Sequence, residues 1–331
     1  RYIAERGVES YWRYYQIHWP VEEAKSGRGG RRSPLHQVLA DRGAVFGSRF
    51  GWERPNWFAP KGTEPKDKPD FDRARTNWFK TVGEEHKAVR ERVALFDQTS
   101  FAKFMLSGAD AERALGWICA NDVARPVGSL VYTQLLNERG GIECDLTMAR
   151  TAPDSWYVVT GSAFGAHDMG WIRSNSPDDG SVLARDLTSA RAVLNLVGPQ
   201  SRTVLQRVAE EDVSNASFRY SKAREITIGS APVLALRVGY VGELGWELHI
   251  PTEYAAHVAE VLRDAGEDLG IIDVGYRAID TMRMEKGYLY WSTDITPDTS
   301  PWEAGLDWRV DLESGDFCGR DALVALQADG P

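Results

Sequence analysis

Apolar and polar positions change period several times along the chain. Residues 1–17 read as a helix, and an aromatic band of Tyr11, Trp12, Tyr14, Tyr15 and Trp19 runs along it and just past it. Residues 25–32 form a Gly/Arg loop, and Ser33-Pro34 starts a short helix over 35–42. Residues 43–60 are aromatic and turn-rich, and the Pro/Lys/Glu-rich stretch 61–68 is the best linker candidate. From Trp78 onward the pattern becomes regular. Helices are predicted over 83–95, 109–120, 163–172, 199–208, 253–265 and about 274–285. Strands are predicted over 103–106, 130–136, 142–149, 156–160, 192–197, 225–228, 232–238 and 246–250, with Asn137 to Gly141 as a hairpin turn. Strands come in hairpins and outnumber simple β-α-β alternation, which predicts an α+β fold with antiparallel sheets and packed helices.

Composition narrows the class. The chain has 331 residues, 43% hydrophobic and 26% charged, which suits a folded protein of roughly two domains at ~100–200 residues each. Net charge is −9, a poor prior for binding a phosphate backbone. Residues 1–60 differ, with 10 Arg/Lys against 6 Asp/Glu and 11 of the 35 aromatics, so they suit packing against something large. Cys119, Cys144 and Cys318 are far apart and read as reduced, buried thiols. No apolar run approaches the ~20 residues of a membrane span. The chain opens at Arg1 inside a helical stretch and closes at Pro331 soon after a helix start, so both ends read as cuts.

Several chemistries lack their signatures. There is no G-x-G-x-x-G after a strand, no Walker loop, no H-E-x-x-H and no nucleophile elbow, and the six His are scattered. Three clusters remain. Asn121-Asp122 follows an apolar helix, where an Asp is either a turn former or a partly desolvated carboxylate. Residues 132–137 run from Tyr132 to Asn137 into Gly140-Gly141. Residues 240–247 form a tight turn from Tyr240 to Glu247. Each could be plain hairpin chemistry.

Together, in this order, they resemble the folate-binding aminomethyltransferase family typified by the glycine-cleavage T-protein. The matching stretches are 95–97 (LFD), 121–122 (ND), 132–145 (YTQLLNERGGIECD), 240–247 (YVGELGWE), 282–288 (MRMEKGY), 299–306 (TSPWEAGL) and 316–320 (DFCGR). The first sixty residues, through 33–35 (SPL), 43–47 (GAVFG) and 51–58 (GWERPNWF), look like the module joining an FAD oxidoreductase domain to that folate domain in dimethylglycine and sarcosine dehydrogenase-like proteins. The resemblance implies three segments: a connecting module over 1–60, a linker over 61–77 and a folate-binding domain over 78–325. The FAD domain would lie outside this chain, and the family's final β-barrel domain is expected to be missing after Pro331.

The implied chemistry is transfer of a one-carbon unit to tetrahydrofolate. Flavin oxidation of an N-methyl amine gives an iminium, or formaldehyde after hydrolysis, and the carbon passes to the folate as 5,10-methylenetetrahydrofolate. By motif match, Asp122 is the catalytic carboxylate that removes a proton and steadies the developing cation. Glu247 would accept the pterin N–H groups in a fork. Tyr132, Tyr240 and, on a weaker local match, Tyr220 would flank the flat ring, and Asn137 would offer an amide to its edge. Arg283 would meet the folate tail or a structural acid, Asp280 or Glu285; the T-proteins carry a second Arg where this chain has Ile279. Glu247 could equally face solvent, because it alternates with Trp246 and Leu248. Asn137 could simply form the turn. His167 and His249 are read as structural, and no metal site is expected. The implied partners are a methylated amine and an FAD domain or subunit, with no nucleic acid and no membrane. The implied compartment is the cytoplasm, or the mitochondrial matrix in a eukaryote. Two alternatives stay open: a flavin-independent aminomethyl- or methyltransferase, and a non-catalytic folate-binding scaffold. The scaffold relatives typically show Lys-Gly-Cys where this chain has Lys286-Gly287-Tyr288.

Overall fold

A computed structural model describes residues 1–17, 22–65 and 76–329. Trp19 of the aromatic band and most of the expected linker, residues 66–75, lie outside the described residues. In chain order the elements begin with α1 (Tyr2–Tyr14), α2 (His36–Asp41), β1 (Ala44–Arg49), β2 (Trp52–Phe58), α3 (Trp78–Glu91), β3 (Ala94–Asp97), β4 (Ala102–Ser107) and α4 (Ala111–Ile118). Next come β5 (Leu130–Leu136), β6 (Ile142–Ala152), β7 (Ser155–Thr160), α5 (Gly165–Ser174), β8 (Leu183–Asp186), β9 (Arg191–Val197), α6 (Ser201–Val208), β10 (Ala223–Ile228) and β11 (Ala231–Leu236). The chain closes with β12 (Gly245–Pro251), α7 (Ala255–Gly266), β13 (Ile272–Asp273), α8 (Tyr276–Glu285) and α9 (Arg320–Asp329).

The fold is α+β, as the hairpin pattern implied. The described residues form two compact units: Arg1–Ser100 with Arg191–Ser217 and Glu225–Gly287, and Phe101–Ala190 with Phe218–Arg224 and Tyr288–Pro331. The first unit holds the hairpin β1-β2 and a six-stranded sheet ordered β10-β11-β12-β9-β3-β13. The second holds a five-stranded sheet ordered β5-β6-β7-β4-β8. Of the pairs β1-β2, β11-β12, β12-β9, β3-β9, β4-β7, β4-β8, β5-β6, β6-β7 and β13-β3, all are antiparallel except β13 on β3. None of the three sheets closes into a barrel among the described residues.

Three expectations are corrected. Residues 94–95 end no helix: Ala94, Leu95, Phe96 and Asp97 form a strand buried at every position, so the two-residue alternation that marks a half-buried strand is missing. The aromatic stretch 43–60 is a β-hairpin with a register shift between Val45 and Phe46, which hides its alternation. β8 and β13 are four- and two-residue strands that the pattern did not show.

In the first unit, Trp57 of β2 is fully buried with Val82 and Val89 of α3, Phe96 of β3 and Met282 of α8. The hairpin of residues 44–58 is thus part of this unit's core. Gly275 explains how closely β2 approaches α8: a Cβ there would lie 2.2 Å from Asn56 O and 2.4 Å from Trp57 N. In the second unit, one face of the sheet packs Phe104, Leu146, Trp156 and Val158 against Leu115 and Ile118 of α4 and Ile172 of α5. A second cluster joins Leu136 and Ile142 to Ile295, Leu306, Phe317 and Leu323. No helix of the described residues is long and apolar enough to cross a membrane.

Candidate functional site

The sequence-predicted residues divide between the units. Asp122, Tyr132, Asn137 and Tyr220 lie in the second unit; Tyr240, Glu247 and Arg283 lie in the first.

Asp122 follows α4. Its Oδ1 accepts the Ala124 N–H at 2.8 Å, and its Oδ2 lies 3.1 Å from Arg125 Nε, with the side chain 30% exposed. The turn reading of Asp122 is therefore realised, and two of the carboxylate's roughly four lone-pair positions stay open. Asn121 donates from Nδ2 to Tyr132 O at 3.1 Å, tying this loop to β5. Asn137 is fully engaged in the β5–β6 turn. Its Oδ1 accepts the Arg139 and Gly141 N–H groups, and its Nδ2 donates to Pro297 O at 3.0 Å and to Glu143 Oε2 at 3.3 Å. An amide has no further capacity beyond those four bonds. Gly141 is required there, since a Cβ would sit 1.8 Å from Pro297 O. Tyr132 is half-buried on β5, and Tyr220 is 63% exposed.

The face of β5 and β6 opposite Leu135 and Cys144 contains residues the motif reading passed over. Gln134, fully buried, pairs in register with Asp145 and donates to its Oδ1 at 2.9 Å. Burial pushes the Asp145 carboxyl up to about 6, against hydrogen bonds from Gln134 and the Tyr132 hydroxyl that pull it down. Gln134 Oε1 is buried and accepts nothing. Nearby, His167 bonds Asp168 Oδ1 through Nδ1 at 2.9 Å and Glu143 Oε1 through Nε2 at 3.0 Å. Burial lowers the pKa of this imidazole, but the two carboxylates outweigh it and raise the net value. With Cys144, His167 and Asp168 place three donor atoms within 4.8 Å of one another. The burial that raises the Cys144 thiol disfavours the thiolate a metal would need.

In the first unit, Glu247 sits on β12 between Trp246 and Leu248, both fully buried. It does not face open solvent: its side chain is 15% exposed. It stands opposite Asn195 of β9, and His249, two residues on, shares its face with Nε2 3.6 Å from Glu247 Oε2. Asn195 donates to Gln98 Oε1 at 3.3 Å, while its own Oδ1 is buried and accepts nothing. Strand alternation alone could not reveal this polar row, because Gln98, Asn195 and Glu247 come from distant segments. Tyr240 is half-buried against the core cluster of Trp57 and Met282. Arg283 is buried and donates from Nε to Asp280 Oδ1 at 2.7 Å; Glu285 instead pairs with Arg90 and His86.

The donor and acceptor inventory fits a reduced pterin. In the first unit Asn195 Oδ1 is a buried acceptor without a donor, and Glu247 opposite it adds a carboxylate. A pterin edge is rich in N–H groups, which satisfy acceptors a protein leaves open.

Comparison with known proteins agrees with this architecture. Residues 35–314 match the GCVT N-terminal domain family. The chain is 38% identical over 367 residues to the mitochondrial sarcosine dehydrogenase of Homo sapiens, covering 100% of this chain and 40% of that protein. It is 39% identical over 331 residues to the formaldehyde-forming 4-methylaminobutanoate oxidase of Paenarthrobacter nicotinovorans, with the same coverage of 100% and 40%. The chain thus spans about two-fifths of the length of these relatives. Among solved structures, the glycine cleavage system aminomethyltransferase T of Bartonella henselae superposes with a TM-score of 0.77 at 27% identity, covering 92% of this chain and 76% of that one. The chain belongs to the GCVT aminomethyltransferase family and has its α+β fold.

Proposed function

We propose that this chain is the folate-binding, one-carbon-transfer portion of a flavin-dependent N-demethylase of the sarcosine and dimethylglycine dehydrogenase kind. The observation that carries the reading is the buried, donor-free Asn195 Oδ1 standing opposite the Glu247 carboxylate on one covered strand face of the first unit. The relatives' names support the coupling to amine oxidation. The exposed aromatics Tyr11, Trp12 and Tyr14 of α1, with Tyr15 just after it, support packing against an FAD-bearing domain or subunit.

In this reading Glu247 accepts two N–H groups in a fork. Tyr132, Tyr220 and Tyr240 give flat apolar surface to a ring. Asp122 accepts a proton on its open lone pairs, and its charge steadies a cationic carbon. Asn137 and Arg283 keep structural roles, as their bonds to the turn and to Asp280 indicate. Bound tetrahydrofolate supplies the nucleophilic nitrogen that takes up the carbon.

Calorimetric titration with tetrahydrofolate tests the reading. Glu247→Gln should weaken binding ten- to a hundredfold, the range for losing hydrogen bonds to a charged group. In the intact dehydrogenase, Asp122→Ala should stop methylene-folate formation while flavin reduction by the amine survives. An unchanged affinity for Glu247→Gln, or an unchanged methylene-folate yield for Asp122→Ala, removes that residue from the mechanism.

A further inference from the structure

Several arginines of this acidic chain have found an acid: Arg90 pairs with Glu243 and Glu285, Arg207 with Asp268, Arg263 with Asp273. Arg309 has not. It is half-buried, and its side chain makes no hydrogen bond or ion pair among the described residues. Its Nε is fully buried without an acceptor. Two rings hold the guanidinium instead: Trp308 at 3.8 Å and Tyr132 at 5.3 Å from the ring centroids. Burial is the main influence on its pKa, and lowers it; the ionisable groups acting on it are the phenols of Tyr220, Tyr132 and Tyr288, with no carboxylate among them.

A guanidinium withdrawn from water without a counter-ion is costly. Ring stacking offsets part of that cost but leaves the N–H fork unused. The fork matches a carboxylate bidentately, while the Tyr132 hydroxyl is already given to Asp145, so the recognition falls to the guanidinium between its two rings. We infer that Arg309, held between the rings of Trp308 and Tyr132, is a carboxylate receptor in the second unit. The aminobenzoyl ring of folate adjoins its glutamyl end, so that ring against Tyr132 would bring a glutamyl carboxylate to Arg309. That identification rests on the proposed function; the vacancy at Arg309 does not.

The test is calorimetric titration of the chain with three probes: tetrahydrofolate, a tetrahydropterin lacking the glutamyl tail, and glutarate. Arg309→Gln should lower tetrahydrofolate affinity tenfold or more and leave tetrahydropterin affinity unchanged, and Arg309→Lys should recover part of the loss. Matching circular dichroism melts for the two variants check that both fold. If Arg309→Gln binds tetrahydrofolate like the wild type, or loses tetrahydropterin equally, the receptor role is overturned while the folate reading stands. If the wild type binds neither pterin compound yet binds glutarate in an Arg309-dependent way, the receptor stands and the folate reading falls. Absence of all three binding events overturns both.

Discussion

Glu85 of α3 is 3% exposed and bridges two distant segments of the first unit. Its Oε1 accepts the Phe58 N–H at 2.7 Å at the end of β2, and its Oε2 accepts the Gly275 N–H at 3.1 Å just before α8. Burial raises this carboxyl from an ordinary 4.5 to about 7, although the two N–H groups and Arg277 pull the other way. The folded carboxyl therefore holds its proton more tightly than the unfolded one. Its stabilising contribution is full below about pH 4.5 and is lost as pH rises through about 7. Two and a half pH units at ~1.36 kcal/mol each amount to about 3 kcal/mol. Glu85→Gln keeps the shape and an acceptor oxygen but cannot ionise. Urea unfolding of both proteins at pH 4.5 and pH 8.5 isolates the effect, because every other titrating group is common to the pair. The wild type should lose about 3 kcal/mol relative to Glu85→Gln between those two pH values. A stability difference that does not change with pH would refute the reasoning.

Two further outcomes follow from close packing. Gly275→Ala places a methyl against the backbone of Asn56 and Trp57 and should cost about 3 kcal/mol, at the upper end for overpacking, read as a lowered urea midpoint; a midpoint equal to wild type would mean that β2 does not sit this close to α8. Cys119, Cys144 and Cys318 are all buried, and burial raises each thiol, so a thiol-exchange reagent should label the native protein roughly a hundredfold more slowly than the urea-unfolded chain. Rapid native labelling of even one thiol would contradict that burial.

Much of the fold was written in local pattern. The β5–β6 hairpin was legible because two alternating runs flank an Asn with two glycines, and those residues make the turn that their chemistry demands. The amphipathic helices α4, α6 and α7 were legible from apolar spacing. β3 was not, because a strand covered on both faces shows no alternation. The site divides the same way. Tyr132, Tyr240 and Glu247 stood in recognisable motifs, and the motif around Asn137 left ligand and turn former both open until the structure showed its amide used up within the turn.

The residues themselves determined which elements form, the antiparallel hairpins and the family, since turn grammar, periodicity and ordered motifs are properties of neighbours in sequence. Tertiary structure decided the rest. It set Glu247 beside Asn195 and His249 on a covered face, withdrew Glu85 from water, and left Arg309 against Tyr132 with no acid to meet it among the described residues. Burial and charge pairing depend on which distant segments come together, and a period of two or of 3.6 says that a face exists without saying what lies against it.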